Sequence, residues 1–214
     1  MKIETIPYSE YLASIPTSGH HILGQQRADE ILVYQAFNPS IAEYAVQNQR
    51  FGGSHYSFSR MTWIKPNFLW MMYRCGWAEK VNQESVLGIW LTKEGFTKIL
   101  EEAVYSSYQP SIYPSKENWQ TDLNTKNARL QWDPDHDIYG AKQQRRAIQL
   151  GLKSTLVNEF NERMIKEIID ITAFVKQQRV ILDQGNIATL QVPEETVFKT
   201  DNEALNKWLK IGKE

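Results

Sequence analysis

A run of strand-forming residues followed by a helical repeat marks the first predicted unit of the chain. Residues 30–37, EILVYQAF, are rich in β-branched and aromatic side chains and predict a buried strand. Asn38 and Pro39 follow, and they suit the N-cap and the first position of a helix. Apolar residues then recur at helical spacing, and Gly52-Gly53 is expected to end the helix.

The second pattern is an apolar block, RMTWIKPNFLWMMYRCGW, at residues 60–77. Pro66 predicts the start of a helix and Gly76 its end, and the helix between them is apolar nearly all round, which predicts burial. Trp63, Trp70 and Trp77 are seven residues apart, but the residue before a proline avoids the helical region. Trp63 is therefore expected to precede the helix and Trp77 to follow it.

The remaining pattern is mixed. Strands are predicted at residues 85–92, 128–132 and 146–152, and helices at 93–104, 117–123, 156–163 and 202–211, with Thr92 and Ser154 as caps for the first and third. Residues 165–175 are rich in β-branched side chains and fit either a helix or a strand. This order predicts an α+β fold, a single domain with a small mixed or antiparallel sheet and flanking helices.

The polar ends of the chain set the predicted boundaries. Residues 1–25 contain PTSGHH and are expected to form a loop or a loosely packed arm. Residues 26–185 are predicted to form the globular domain, and 186–214 a C-terminal extension with a surface helix.

Composition narrows the class of protein and the cellular compartment that we expect. The chain has 214 residues and a formal net charge of -1, which weighs against a protein that coats nucleic acid by charge alone. Cys75 is the single cysteine, so an internal disulfide is excluded and a reducing compartment is favoured. The N-terminus has no apolar signal region, and the longest apolar run, residues 68–73, is too short to span a bilayer. These features predict a cytoplasmic protein without a membrane partner.

Basic residues inside the apolar block provide the first candidate site. Arg60, Lys65 and Arg74 stand among large apolar side chains, and a buried cation must be paired or must bind something anionic. Arg suits bidentate contact with phosphate or carboxylate, and Trp63 could stack on a flat ring. Two interpretations stay open: a core with structural ion pairs, or a pocket for an anionic, flat ligand.

A second polar cluster enters the strand at residues 146–152. On a strand, Arg145, Ala147 and Gln149 share one face, which would border a cleft or form a solvated edge. The preceding Asp-rich run, DPDHD, departs from a calcium loop, because its sixth position is Ile138 and its twelfth is Gln144. We therefore predict no metal site, and we expect the carboxylates to pair with Arg145 and Arg146.

Four stretches together resemble one family. They are VYQAFNPSIAEYAVQNQRF, RMTWIKPNFLWMMYRCGW, VLGIWLTKEGF, and LQWDPDHD followed by RRAIQLGL. They resemble the uncharacterised family catalogued as domain of unknown function 4291, over roughly residues 25–175. This resemblance implies no mechanism.

The order of elements is also similar to that of ADP-ribosyltransferase-like folds. There, a first strand ends in a Tyr-polar pair, a helix follows, and a later strand carries a polar catalytic side chain. The resemblance implies that Tyr34-Gln35 is the pair and that Gln149 is the later residue, with Gln35 and Gln149 in catalytic positions. The chain departs from that pattern, since those enzymes usually place Arg or His on the first strand and often Glu late, and a glutamine is not a general base.

These observations lead to a functional hypothesis with two alternatives. The protein is expected to bind a small-molecule nucleotide, with NAD as one candidate, through Tyr34, Arg60, Trp63, Lys65, Arg74 and Arg145, with Gln35 and Gln149 beside them. An RNA-binding module is the first alternative and is disfavoured by the net charge. A structural interaction domain without a ligand is the second.

Overall fold

The strand predicted at residues 30–37 lies inside an antiparallel sheet in the computed structural model, which describes residues 3–212. The Asn38 side chain accepts a hydrogen bond from the Ile41 amide and caps the helix that follows, as predicted. The helix ends earlier than expected, since Gln49 adopts the left-handed conformation that closes it. Gly52 and Gly53 instead lie against the Tyr44 ring, where a Cβ atom would come within 2.9 Å.

Across residues 3–212 the chain forms thirteen strands and eight α-helices. The strands are β1 (Thr5–Pro7), β2 (Gly19–His20), β3 (Ile22–Gly24), β4 (Gln26–Arg27), β5 (Glu30–Phe37), β6 (Thr62–Ile64), β7 (Ser85–Thr92), β8 (Ala103–Tyr105), β9 (Ala128–His136), β10 (Lys142–Leu152), β11 (Ile165–Asp170), β12 (Gln191–Pro193) and β13 (Thr196–Phe198). The α-helices are α1 (Tyr8–Ser14), α2 (Pro39–Asn48), α3 (Phe68–Cys75), α4 (Lys93–Glu102), α5 (Lys116–Thr125), α6 (Thr155–Glu159), α7 (Thr172–Asp183) and α8 (Glu203–Trp208). A π-helical turn, Phe160–Met164, follows α6, and a 3-10 turn, Ile187–Thr189, precedes β12.

Two larger sheets organise these elements. The first is antiparallel, with the order β11-β7-β5-β4. The second is mixed, because β10 pairs antiparallel with β9 and β6 but parallel with β2, and β8 pairs parallel with β9. Two short antiparallel pairs, β1 with β12 and β3 with β13, complete the fold. The chain is a single α+β domain, which confirms the predicted class.

The antiparallel sheet is buried on both faces. Val33 and Ile89 point into a cluster shared with α4 and with one face of β9 and β10. Leu32 and Trp90 point the opposite way, into a cluster shared with α1, α3 and α7. The sequences of β5 and β7 are continuous apolar runs for this reason, because a strand that is covered on both sides has apolar side chains on both faces rather than alternating apolar and polar ones.

Residues 3–25 differ from the loop or loosely packed arm expected from their polar composition. They form β1, α1, β2 and β3, and Tyr11 and Ile22 are buried. Their partners come from the far end of the chain, with Ile6 opposite Val192 and Leu23 opposite Val197. Such short strands are set by pairing across most of the sequence rather than by local preference.

The apolar block divides as predicted, with Trp63 before α3 and Trp77 after it. The helix begins two residues later than Pro66 suggested, because Asn67 is the N-cap and accepts a hydrogen bond from the Trp70 amide. Gly76 ends it with φ +58°, a backbone conformation that favours glycine. Cys75 is buried in the helix, and this burial raises the pKa of its thiol.

Several other boundaries shift. The strands predicted at residues 128–132 and 146–152 are longer in the structure, since β9 runs to His136 and β10 starts at Lys142. Ser154 makes no capping hydrogen bond, and the helix predicted at 156–163 is α6 followed by the π-helical turn. Residues 165–175 contain both a strand, β11, and the first turn of α7. None of the helices across residues 3–212 is long and apolar enough to cross a membrane.

Candidate functional site

The segment from Thr62 to Lys65 joins the two larger sheets. Strand β6 pairs with the end of β10, which places Trp63 opposite Gly151 and Ile64 opposite Leu150. One residue later the chain meets β5: the Lys65 amide donates to the Tyr34 carbonyl at 3.2 Å, and the Tyr34 amide donates to the Lys65 carbonyl at 2.7 Å. The backbone of Lys65 is thus fixed at the seam between the sheets.

A pocket of about 560 Å³ opens on one side of this seam, and we call it the Gln35 pocket. It contains four of the residues predicted from the sequence: Gln35, Arg60, Trp63 and Lys65. Its other lining residues are Ala36, Phe37, Asn38, Ile41, His55, Tyr56, Ser57, Met61, Thr62, Met71, Asn82 and Gln83.

A second pocket of about 350 Å³ adjoins it, and we call it the Asp133 pocket. It is lined by Trp63, Lys65, Trp70, Arg74, Gln131, Asp133 and Gln149. Because Trp63 and Lys65 line both pockets, the two form one continuous site with Lys65 at the junction. Six of the eight predicted residues therefore lie in this site.

Lys65 is the most unusual group in the site. Its side chain is buried, with 6% of its surface exposed, and among residues 3–212 its ammonium group makes no hydrogen bond or ion pair. Burial and, to a smaller extent, the positive charge of Arg74 together lower the pKa of Lys65 to about 8, against weaker opposing effects of Cys75 and Asp133. A buried and unpaired cation is costly, so this position favours an anionic ligand.

Gln35 offers the complementary feature in the Gln35 pocket. Its Nε2 donates to Thr62 Oγ1 at 2.6 Å and to the Trp63 carbonyl at 3.1 Å, which ties β5 to β6. Its Oε1 is buried and accepts no hydrogen bond from any of the residues that the structure describes. A buried acceptor without a donor is rare in folded proteins, so Gln35 is an unsatisfied polar group at the wall of the pocket.

The Asp133 pocket has a polar floor on the strands β9 and β10. Asp133 accepts hydrogen bonds from both neighbouring glutamines, from Gln131 Nε2 at 2.9 Å and from Gln149 Nε2 at 2.8 Å. Gln131 and Gln149 lie directly opposite each other in the ladder, so all three side chains share one face. The sequence indicated Gln149 on this face but missed Gln131 and Asp133, because the strand predicted at residues 128–132 ends before Asp133, whereas β9 continues to His136.

Two indole rings form the walls of the Asp133 pocket. Trp63 lies over Gly151, where an added Cβ would approach its ring within 2.9 Å. Trp70 is stacked with His136 at 5.1 Å and with Tyr73 at 5.5 Å between ring centroids. Both rings are therefore held by their surroundings, and the pocket keeps its width.

Tyr34 and Arg145 lie outside both pockets. Tyr34 points to the opposite face of β5 from Gln35, is fully buried, and packs edge-on against Phe68. Arg145 is buried and pairs with Asp135 at 2.6 Å, and it also donates to the Pro16 carbonyl at 2.7 Å. The ion pair confirms the expected pairing of the Asp-rich run with Arg145, and it gives Arg145 a structural role.

The Asp-rich run places its side chains apart. Asp133 faces the pocket glutamines, Asp135 pairs with Arg145, and Asp137 accepts from the amides of Tyr139 and Ala141 in the turn. Among residues 3–212 there is no group of three or more His, Cys, Asp or Glu side chains that could hold a metal ion.

Comparison with known proteins gives a family match. The model of the family described as Domain of unknown function (DUF4291) matches residues 21–198, which include all of the residues that line the two pockets. No curated protein matches the chain.

Proposed function

Since the chain belongs to the DUF4291 family, a domain of unknown function, we propose a function from the site itself: the protein binds a nucleotide at Lys65. In this proposal the phosphate group sits against Lys65 and Arg60, and the base or another flat ring of the ligand packs against Trp63. NAD is one candidate among the nucleotides to be tested.

The observation that carries this proposal is the buried ammonium group of Lys65. A cation with 6% of its surface exposed, and without a carboxylate or carbonyl partner among residues 3–212, lies at the junction of two pockets. An anion placed there would gain a charge-assisted hydrogen bond and would relieve the cost of burying the charge. A neutral ligand would leave that cost in place.

The other walls of the Gln35 pocket suit the same ligand. Arg60 is exposed at its rim, and a guanidinium can bind two phosphate oxygens at once. Tyr56 adds aromatic surface to this pocket, and Trp63, which lines both pockets, supplies a face on which a ring can pack. A volume of about 560 Å³ lies in the usual range for small-molecule and cofactor sites.

The two glutamines have a positioning role in this proposal. A carboxamide neither takes up a proton nor carries charge, so Gln35 and Gln149 orient a ligand rather than act as bases. The proposal accordingly covers nucleotide binding and does not extend to ADP-ribosyl transfer.

A single-stranded nucleic acid is the alternative ligand, because it would use the same aromatic and basic side chains. The net charge of -1 opposes binding of a long polyanion. Affinity that falls steeply with salt concentration, over several charges, would identify this alternative.

The experiment is a titration with AMP, ATP, NAD and inorganic phosphate, followed by thermal unfolding and by Trp fluorescence. We expect a nucleotide to raise the melting temperature and to change the fluorescence of Trp63. Lys65→Met should abolish both effects and Arg60→Ala should weaken binding about tenfold. Lys176→Met, at an exposed position on α7, is the matched control and should bind as the unaltered protein does.

Two results would overturn the proposal. The first is the absence of any thermal or fluorescence change with every nucleotide tested. The second is unchanged binding by Lys65→Met, which would place the ligand elsewhere.

A further inference from the structure

The floor of the Asp133 pocket fixes the direction of two amide groups. Asp133 Oδ1 accepts from Gln131 Nε2 and Oδ2 accepts from Gln149 Nε2. An ionised carboxylate only accepts hydrogen bonds, so both amide nitrogens must face it. The orientation of these side chains, which is often ambiguous, is thereby determined by chemistry.

The consequence is a pair of acceptors in the pocket. With their nitrogens held by Asp133, Gln131 and Gln149 turn their Oε1 atoms away from it, and among residues 3–212 neither oxygen accepts a hydrogen bond. Both residues line the pocket, and so do Trp63 and Trp70. A flat group that carries N–H donors fits such a slot.

The basic side chains of the site line the same two adjoining pockets. Lys65 lies at the junction with the Gln35 pocket, and Arg74 lines the Asp133 pocket. A molecule that spans the junction would meet acceptors and aromatic rings on one side and Lys65 and Arg60 on the other. A nucleotide has this polarity, with N–H donors on its base and negative charge on its phosphate.

We propose that the Asp133 pocket holds the base of the nucleotide and selects a base with an exocyclic amino group, through Gln131 and Gln149 oriented by Asp133. This inference rests on the proposed function, and it names the ligand class of that same site. Adenine, guanine and cytosine carry the amino group. Hypoxanthine and uracil carry a carbonyl oxygen in its place, and their single ring N–H beside it can satisfy only one of the two glutamine oxygens, so the other would face the carbonyl oxygen without a hydrogen between them.

The direct test compares the affinities of AMP and IMP, which differ only in the groups on the base ring, and repeats the comparison with CMP and UMP. We expect the amino-bearing member of each pair to bind about 10- to 100-fold more tightly, as two oriented hydrogen bonds to a base edge would give. Equal affinity within both pairs would overturn this inference while leaving the nucleotide proposal intact. Binding of none of them would overturn the nucleotide proposal and this inference together.

A substitution tests the role of Asp133 itself. In Asp133→Asn the new amide can donate from one side, so one glutamine can turn its oxygen toward position 133 and its nitrogen toward the ligand. We expect the preference for AMP over IMP to shrink at least tenfold, while inorganic phosphate binds at Lys65 no more weakly than before, because the substitution removes a negative charge that acts on Lys65. A merely structural role would instead lower the affinity for all of these ligands alike.

Two further variants keep the test decisive. Asp29→Asn, at an exposed position in the turn before β5, is the matched control and should keep the full preference. Gln149→Met removes one acceptor without changing Asp133, so it covers the case in which Asp133→Asn fails to fold. A full preference for AMP in Gln149→Met would overturn the inference.

Discussion

At the scale of a single residue, the buried charge of Lys65 that is proposed to bind the ligand also lowers the stability of the folded protein. Burial lowers the pKa of Lys65 from 10.5 to about 8, a difference equivalent to about 3 kcal/mol of unfavourable free energy while the group is charged in the folded protein. The folded-state pKa is the lower one, so the unfolded chain binds more protons between pH 8 and pH 10.5. The penalty is therefore complete below about pH 8 and is relieved as the pH rises to about 10.5.

We expect Lys65→Met to be more stable than the unaltered protein at pH 7, by about 1–3 kcal/mol. Methionine has a shape similar to that of lysine, and the substitution removes a buried and unpaired charge. The advantage should shrink between pH 8 and pH 10.5. Denaturant unfolding at several pH values measures it, with Lys176→Met as the control that should show no advantage. A destabilised Lys65→Met would mean that the ammonium group has a structural partner.

Gly151 is the second residue with a specific consequence. A Cβ atom there would lie 2.9 Å from two atoms of the Trp63 ring and 2.7 Å from Met61 Sδ, and the rigid indole has to move to make room. We expect Gly151→Ala to cost about 1–3 kcal/mol of stability and to weaken nucleotide binding by displacing Trp63. Unfolding and fluorescence titration measure the two effects, and unchanged binding would show that the Trp63 ring is not part of the ligand site.

At the scale of an element, α3 depends on a carboxylate from the far end of the chain. Glu195 is buried and accepts hydrogen bonds from the Phe68 amide at 2.6 Å, from Asn67 Nδ2 at 3.0 Å and from Tyr11 OH at 2.9 Å. One side chain thus connects α1, the start of α3 and the segment between β12 and β13. Burial raises the pKa of Glu195 to about 8, so its contribution to stability is greatest below about pH 4.5 and falls as the pH rises through 8.

We expect Glu195→Ala to destabilise the protein by roughly 3–5 kcal/mol, because three buried donors lose their acceptor at once. Thermal or denaturant unfolding measures the loss. Glu194→Ala is the matched control, because Glu194 is next to Glu195 in the sequence and its side chain is exposed. This variant should change the free energy of unfolding by less than about 0.5 kcal/mol. A loss as small as that of the control would show that α3 is held by its apolar contacts alone.

The elements that the sequence predicted are those with strong local signals. Strands β5 and β7 and the helices α2, α3 and α4 combine long apolar patterns with N-caps at Asn38, Asn67 and Thr92, and these caps act within a few residues. Strands β1 and β3 have three residues each and take their partners from residues 191–198, which no local pattern reveals. The predicted strand ends at residue 132, because Asp and Pro at positions 133–135 resemble a turn. In the structure this segment pairs with β10 and so belongs to β9.

The part of the candidate site that the sequence predicted also depends on a local pattern. Trp63, Lys65 and Arg74 stood out as aromatic and basic residues in one apolar block, and all three line the Asp133 pocket. Asp133 could not be assigned in this way, because its role comes from Gln131 and Gln149 on two strands. Arg145 was included for its charge, whereas its partner Asp135 satisfies it inside the protein.

At the scale of the whole molecule, the two ends of the chain close the fold. Residues 5–7 pair with 191–193, residues 22–24 pair with 196–198, and Arg145 donates to the Pro16 carbonyl. We expect a variant limited to residues 26–185 to lose cooperative unfolding, because these contacts and the buried Tyr11 would be missing. Circular dichroism during thermal unfolding measures this, and a cooperative transition equal to that of the full chain would show that the ends are dispensable.

The position of Lys65 also has a calorimetric consequence. Because its pKa of about 8 lies near neutral pH, part of the population lacks the proton, whereas a bound phosphate would hold it on the nitrogen. Binding at pH 8 should therefore draw about half a proton from the buffer for each ligand bound. Titration calorimetry in Tris and in a buffer of low ionisation enthalpy should then give different apparent heats, and Lys65→Met should show no such difference in any heat that remains. Occupation of this site by an anion would therefore be coupled to proton uptake by Lys65.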